Sequence, residues 1–177
     1  RNQFNAHNFT APPHTAIGSR VPIENLPPFG LLCLGGPLLD AGHQVDLVNA
    51  DLGPMKTSEI LQAVTWHQPT AIPIGHSGSS SAHPTVVELA RRLKSTCPEA
   101  TIIYGGVYPT YHGKEILEQS PDIDIIVRGE GEVTVANLIK ALEQQQPLRS
   151  ISGLAFRENG HAIATQPAPV ISDLDVN

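Results

Sequence analysis

Three stretches of glycine and small polar residues carry the chemistry this sequence can offer. They are Ser77-Gly78-Ser79-Ser80-Ser81, Gly105-Gly106 and Gly129-Glu130-Gly131-Glu132. Each follows a run of β-forming residues, so each falls where a strand hands over to a helix, the place at which open α/β sheets bind ligands. Glycine there removes the Cβ that would block a large ligand from the main chain. Serine hydroxyls and amides at a helix N-terminus suit negative charge such as a phosphate. In the third stretch two glycines flank an acid, leaving two amides and a carboxylate free to face one crevice; Glu130 and Glu132 otherwise serve as charges at the start of the next helix. Each stretch alone is also a plain turn or cap, and it is the succession of three that argues for a ligand.

Other reactive side chains are weaker candidates. His76, His83 and His112 sit just beyond successive strands, where they could crowd the same crevice as hydrogen-bond donors. They lack the fixed spacing a zinc site needs. Tyr108 and Tyr111 follow the Gly-Gly pair and can cover one face of a flat ligand. Cys33 and Cys97 are the only cysteines and lie far apart, which supports neither a disulfide framework nor a metal site and reads as two buried thiols in a reducing compartment.

The elements that must position these residues alternate. Residues 1–29, rich in proline, form an irregular segment with a short first strand at Arg1–Asn5. A helix runs from Gly30 to about Ala41 and stops at Gly42, and Gln44–Asn49 reads as a buried strand. Thr57 starts a second helix, and Thr70–Gly75 is a strand. A third helix, capped within Ser79–Ser81 and carrying Pro84 in its first turn, shows Val86, Leu89, Ala90 and Leu93 as its apolar stripe. Thr101–Tyr104 is a strand, Lys114–Gln119 a short helix and Ile123–Val127 a strand apolar enough to be covered on both faces. Gly131–Glu143 forms a helix with Val135, Leu138, Ile139 and Leu142 inward. Two strands, 151–156 and 161–164, flank Asn159-Gly160, a hairpin signal. The alternation predicts an α/β fold: a doubly wound, Rossmann-like, mostly parallel sheet flanked by helices, with a C-terminal β-hairpin. It divides into the irregular segment 1–29, a ligand-binding domain over 30–145, and the hairpin and tail 146–177, which lead towards a further domain.

Composition narrows the partners. A net charge of −6 with only 11 Lys and Arg offers no concentrated basic surface, which argues against nucleic acid and anionic membrane. No apolar run of about 20 residues and no signal-peptide pattern is present, consistent with a cytoplasmic protein.

The turns, together with Pro27-Pro28-Phe29-Gly30 and Arg128-Gly129-Glu130-Gly131-Glu132, resemble the N-terminal cobalamin-binding domain of cobalamin-dependent radical S-adenosylmethionine enzymes. The similarity is to the group that includes the anaerobic magnesium-protoporphyrin IX monomethyl ester cyclases, and it covers roughly residues 26–145. It implies that the nucleotide tail of cobalamin lies along Ser77, Gly78, Ser79, Gly105 and Gly106, with Tyr108, Tyr111, Gly129, Glu130 and Gly131 also at the cofactor. It further implies a downstream radical domain with a [4Fe-4S] cluster and S-adenosylmethionine, serving methyl transfer or oxidative ring formation. Cobalamin domains of the methionine synthase type place a cobalt-binding histidine in Asp-x-His-x-x-Gly. Here the nearest match is Asn5-Ala6-His7-Asn8-Phe9-Thr10, without the Asp or the closing Gly, so no metal ligand is assigned and His7 is left as the one candidate for cobalt. Nothing resembles a catalytic apparatus, because two cysteines cannot supply the three of a radical cluster. The rival readings are a nucleotide- or flavin-binding Rossmann-like domain, from the partial fingerprint Gly129-x-Gly131-x-x-Thr134, and a receiver-like interaction module, for which Asp46 and Asp51 are the available acids.

Overall fold

Six residues of Ala71–His76 (β1) pair in parallel with Thr101–Gly106 (β2), in a register that sets Ile72 beside Ile102 and His76 beside Gly106. The computed structural model describes residues 28–49, 55–76 and 80–169, and the chain divides into two units, Arg1–Ala63 and Val64–Asn177.

The second unit carries the sheet. Ile125–Val127 (β3) adds in parallel to β2, and the hairpin Leu154–Glu158 (β4) and His161–Ala164 (β5) extends the sheet antiparallel, in the order β1-β2-β3-β4-β5. The result is a mixed five-stranded sheet flanked by helices. Asn159 and Gly160 both take positive φ, 50° and 80°, the backbone that a two-residue hairpin loop requires. Double winding would need a strand ahead of β1. Of the two strands expected there, Gln44–Asn49 enters no ladder among the described residues, and Arg1–Asn5 lies outside them.

Three helices connect the strands of the second unit. The first, His83–Thr96, buries Val86, Ala90 and Leu93, while Leu89 is only half-buried. Its N-terminus holds no side-chain cap; Ser80–Ala82 form a 3-10 turn instead, with a proline in the helix's first turn. The second begins at Val107, directly after Gly106, rather than at Lys114, and runs to Gln119 with His112 off helical geometry. Pro109 fits in its first turn because the amide it lacks would have no partner there. The third, Glu132–Glu143, buries Thr134, Val135, Leu138 and Ala141, with Ile139 half-buried. β3 starts at Ile125 rather than Ile123, because the Asp124 carboxylate accepts the Ile102 N–H at 2.7 Å, displacing a ladder bond, and also holds Lys94 Nζ at 2.8 Å. Tyr104, Ile102, Ile126, Leu138 and Leu154 are wholly buried and form the centre of this core.

In the first unit a helix spans Phe29–Asp40 and ends in a Schellman arrangement: Gly42, at φ 90°, donates to the Leu39 carbonyl, and His43 N–H to that of Leu38, both at 3.0 Å. A helix over Thr57–His67 straddles the division, and its Glu59 carboxylate accepts the Lys56 N–H at 2.7 Å, the returning half of a capping box. Cys33 is exposed on the first of these helices, contrary to the expectation of two buried thiols. Its flank of that helix is the one turned away from buried Gly35 and Leu38; Cys97 is buried.

Candidate functional site

Parallel pairing brings the C-terminal ends of β1, β2 and β3 to one edge of the sheet, and the sequence places His76, Gly105-Gly106 and Arg128-Gly129 there. Gly106 is the position with no alternative. Its φ is 115°, and a Cβ built on it would lie 3.0 Å from the His76 carbonyl oxygen, so a side chain would strain the backbone and strike the neighbouring strand. Gly105 is different: a Cβ there would meet Val127 at ordinary contact distance, 3.7 Å or more. Gly129 also has positive φ, 79°, with nothing within 4 Å of an added Cβ. Its turn is open outward.

Around Gly106 the rings form a ladder. Tyr104 lies fully buried on β2, and its hydroxyl shares a 2.7 Å hydrogen bond with Nε2 of His76. His83, at the start of its helix, stacks on Tyr104 with planes 6° apart and centroids at 6.0 Å, and its other neighbour is Tyr108 at 4.9 Å. Tyr108 stacks in turn on His112 at 4.5 Å, and His112 Nδ1 stands 3.3 Å from the Glu115 carboxylate. The three histidines singled out in the sequence therefore do gather. Burial lowers the pKa of His76, with the His83 charge adding to it. Burial likewise lowers that of His83, helped by His112 and opposed by Glu115. Burial raises that of the Tyr104 phenol well above its ordinary value, with a smaller push from Tyr108. Burial thus favours the neutral forms of His76, His83 and Tyr104. Nδ1 of His76, Nδ1 of His83 and one carboxylate oxygen of Glu132 are buried with no hydrogen-bond partner. Such atoms are rare in a finished core and common where a ligand completes the bonding.

Of the remaining expected residues, Tyr111 is 80% exposed on the outer side of its helix, away from the ring ladder. Gly129 and Glu130 are exposed on the rim and Gly131 is half-buried at the start of the next helix. Ser77, Gly78, Ser79 and His7 lie outside the described residues.

Two side-chain ties are not visible in the sequence. The Thr110 hydroxyl donates to the Gly106 carbonyl oxygen at 2.8 Å and accepts the Gly129 N–H at 3.0 Å, tying two glycine turns together. The Arg128 guanidinium reaches the Thr165 carbonyl at 3.3 Å. Among the described residues, no group of three or more His, Cys, Asp or Glu side chains could hold a metal ion, and no helix is long and apolar enough to cross a membrane.

Comparison with known proteins identifies the family and the fold. Residues 21–139 match the family described as B12 binding domain. The sequence is 57% identical over 165 residues to the anaerobic magnesium-protoporphyrin IX monomethyl ester cyclase of Synechocystis sp. PCC 6803, an alignment spanning 93% of this chain and 33% of that relative. It is 28% identical over 164 residues to an uncharacterized methyltransferase of Pyrococcus horikoshii, spanning 93% of this chain and 35% of the other. The chain therefore spans about a third of the length of these curated relatives. In fold it is similar to the cobalamin-dependent S-adenosylmethionine radical enzyme OxsB with aqua-cobalamin and S-adenosylmethionine bound, at a TM-score of 0.72 and 23% identity over 85% of this chain and 21% of that one.

Proposed function

Because the chain belongs to the B12 binding domain family, it is a cobalamin-binding module, and we propose that it holds the corrin at the C-terminal ends of β1, β2 and β3 for a radical S-adenosylmethionine domain in a longer protein. The observation that carries the siting is Gly106. Its bare, left-handed backbone lies at the C-terminal edge of the sheet in register with His76, whose Nδ1 is one of three buried polar atoms that lack partners, a fit to a large ligand rich in amides and carrying a phosphate. In this reading Gly105 and Gly106 line the nucleotide tail together with Ser77, Gly78 and Ser79. Tyr108 flanks the corrin, Tyr111 stands exposed on the outer side of its helix rather than against it, and Gly129, Glu130 and Gly131 form the far rim. His76 and His83, kept neutral, offer hydrogen bonds to amides rather than charge to the phosphate.

Cobalamin, when bound, supplies cobalt chemistry suited to methyl transfer or to oxidative ring formation. The likeness to a cyclase and to a methyltransferase supports both outcomes, with the 57% identity favouring the cyclase type. The partner domain would bring the [4Fe-4S] cluster and S-adenosylmethionine, chemistry that suits a reducing cytoplasm. A dinucleotide or flavin reading is not favoured: Thr134, the third position of the partial fingerprint, is buried at 4% exposure inside its helix rather than presented to a phosphate.

Titration with aquocobalamin followed by visible absorbance, and gel filtration of the mixture, tests the reading. Retention at about one cofactor per chain, lost in Gly106→Val, is the expected result. Retention of a flavin or nicotinamide nucleotide in its place would overturn it.

A further inference from the structure

The hydrogen bonds around the crevice run in series beyond it. Thr110 joins the turn after β2 to the turn after β3, through Gly106 at 2.8 Å and Gly129 at 3.0 Å. Arg128, next to Gly129, carries the connection on. Its backbone N–H donates to the Gly153 carbonyl at 2.7 Å, and the Gly153 N–H donates to the Gln166 carbonyl at 2.7 Å. Its guanidinium spans the Thr165 carbonyl at 3.3 Å and the Thr110 carbonyl at 3.5 Å. Thr165 is fixed to β4 in both directions, its N–H donating to the Leu154 carbonyl at 2.9 Å and its hydroxyl accepting the Leu154 N–H at 3.0 Å. Gly153, at φ 83°, packs so closely that an added Cβ would meet Ala168 Cβ at 2.9 Å and the Arg128 carbonyl at 3.2 Å. The segment 165–168, by which the chain leaves the sheet after β5, is therefore pressed onto the edge that carries the glycine turns.

We propose that Thr110 and Arg128 are positioning residues that couple the Gly106 and Gly129 turns to the exit segment 165–168, so that a filled crevice tightens the path along which the chain leaves the sheet. The proposal rests on the cobalamin reading above. A ligand lying against bare backbone at Gly106 and Gly129 restricts both turns. Each restricted carbonyl or amide is itself the partner of the next group in the series, and two of the bonds are as short as 2.7 Å. The bonds form one contiguous chain from Gly106 to Gln166, and its transmission is read as a coupling between distant amides.

Amide hydrogen exchange of the full chain, free and with saturating aquocobalamin, provides that measurement. In the free protein Thr110→Val removes the acceptor of Gly129 while keeping the side chain's shape. Exchange should quicken at Gly129 and also at the more distant Gly153, each roughly fivefold, the size of one net hydrogen bond. Thr110→Ser, which keeps the hydroxyl, should restore both. With cobalamin the wild-type amides of Gly129 and Gly153 should slow together, whereas in Thr110→Val the response of Gly153 should be lost. Exchange at Gly153 unmoved by Thr110→Val, or a serine variant that behaves as the valine one, would overturn the coupling. A wild-type chain that leaves the cobalamin spectrum unchanged would instead overturn the cofactor reading, and the free-protein comparison would still decide the coupling.

Discussion

His83 lies flat on Tyr104, the two ring planes 6° apart, while Tyr104 shares its hydroxyl with His76. A protonated imidazole in that stack would carry charge among buried rings beside a second histidine, and burial is the first cause that lowers both pKa values from 6.5. The folded state then binds fewer protons than the unfolded chain as the pH passes below 6.5. The stability contributed by neutral His76 and His83 is fully present above that value and is lost as the pH falls through the lowered ones. Urea unfolding at pH 7.5 and pH 5 should show wild type losing stability on acidification, and His83→Gln losing less. Equal losses in both proteins would remove His83 from the account.

Gly105 and Gly106 should part company on substitution. Gly106→Ala forces a side chain into left-handed backbone and against the His76 carbonyl at 3.0 Å, so it should cost about 1–3 kcal/mol. Gly105→Ala meets only ordinary contacts, so its cost should stay under about 1 kcal/mol. Because Gly105→Ala should leave the fold intact, it is the cleaner probe of the proposed nucleotide-tail site. Its cobalamin retention should fall while its urea midpoint barely moves.

Where chain-local signals decide, the sequence was legible: Asn159-Gly160 announces positive φ, and the spacing of Val86, Ala90 and Leu93 announces a buried helix face. The first half of the Val107–Gln119 helix was not legible, because Gly-Gly before it and Pro109 within it both resemble loop signals. Only the rule that a helix's first amides need no partner makes a proline there acceptable. The gathering of His76, His83 and His112 could be anticipated from their places beyond successive strands. The tie from Thr110 to Gly129 could not, because it joins residues 19 apart through one hydroxyl and a backbone amide. Nor could the tie from Arg128 to Thr165, 37 residues on.

Arg157 shows the same non-local logic in a structural role. Its guanidinium donates to the Leu117 carbonyl at 2.8 Å, the Ser120 carbonyl at 2.6 Å and the Ile123 carbonyl at 2.9 Å, collecting carbonyls where the Val107–Gln119 helix ends. Arg157→Met keeps much of the apolar stem but removes every donor. It should destabilise the protein by about 2–3 kcal/mol, the range of hydrogen bonds to a charged group. Arg157→Lys should recover little, since a single ammonium cannot reach three separated carbonyls with the planar fork's geometry. Full stability in the lysine variant would show that charge at the helix end, rather than the fork, is what matters.

The cobalt of bound cobalamin should carry neither its own base nor a protein histidine. Around His7 the sequence has Asn5 where an orienting Asp would stand and Thr10 where the closing Gly would stand. Paramagnetic resonance of the reduced cofactor on the protein should therefore lack coupling to an axial nitrogen, and His7→Ala should leave the visible spectrum as it was. Nitrogen coupling that vanished in His7→Ala would identify that residue as the ligand after all.

The isolated chain should neither assemble a [4Fe-4S] cluster nor cleave S-adenosylmethionine. A cluster that leaves one iron open for S-adenosylmethionine needs three cysteinates close together, and this sequence has two cysteines. Cys33 is exposed on one helix, and Cys97 is buried at the end of another with its Sγ 3.9 Å from the Val64 carbonyl. A thiol packed into the core is a poor ligand for a cluster that has to meet a substrate. Anaerobic reconstitution with iron and sulfide, followed by assay for 5′-deoxyadenosine, should give none from this chain with or without cobalamin, and should give product once a cluster-bearing domain is joined to it. Product from the isolated chain would mean that it is an enzyme in its own right rather than the holder of another domain's cofactor.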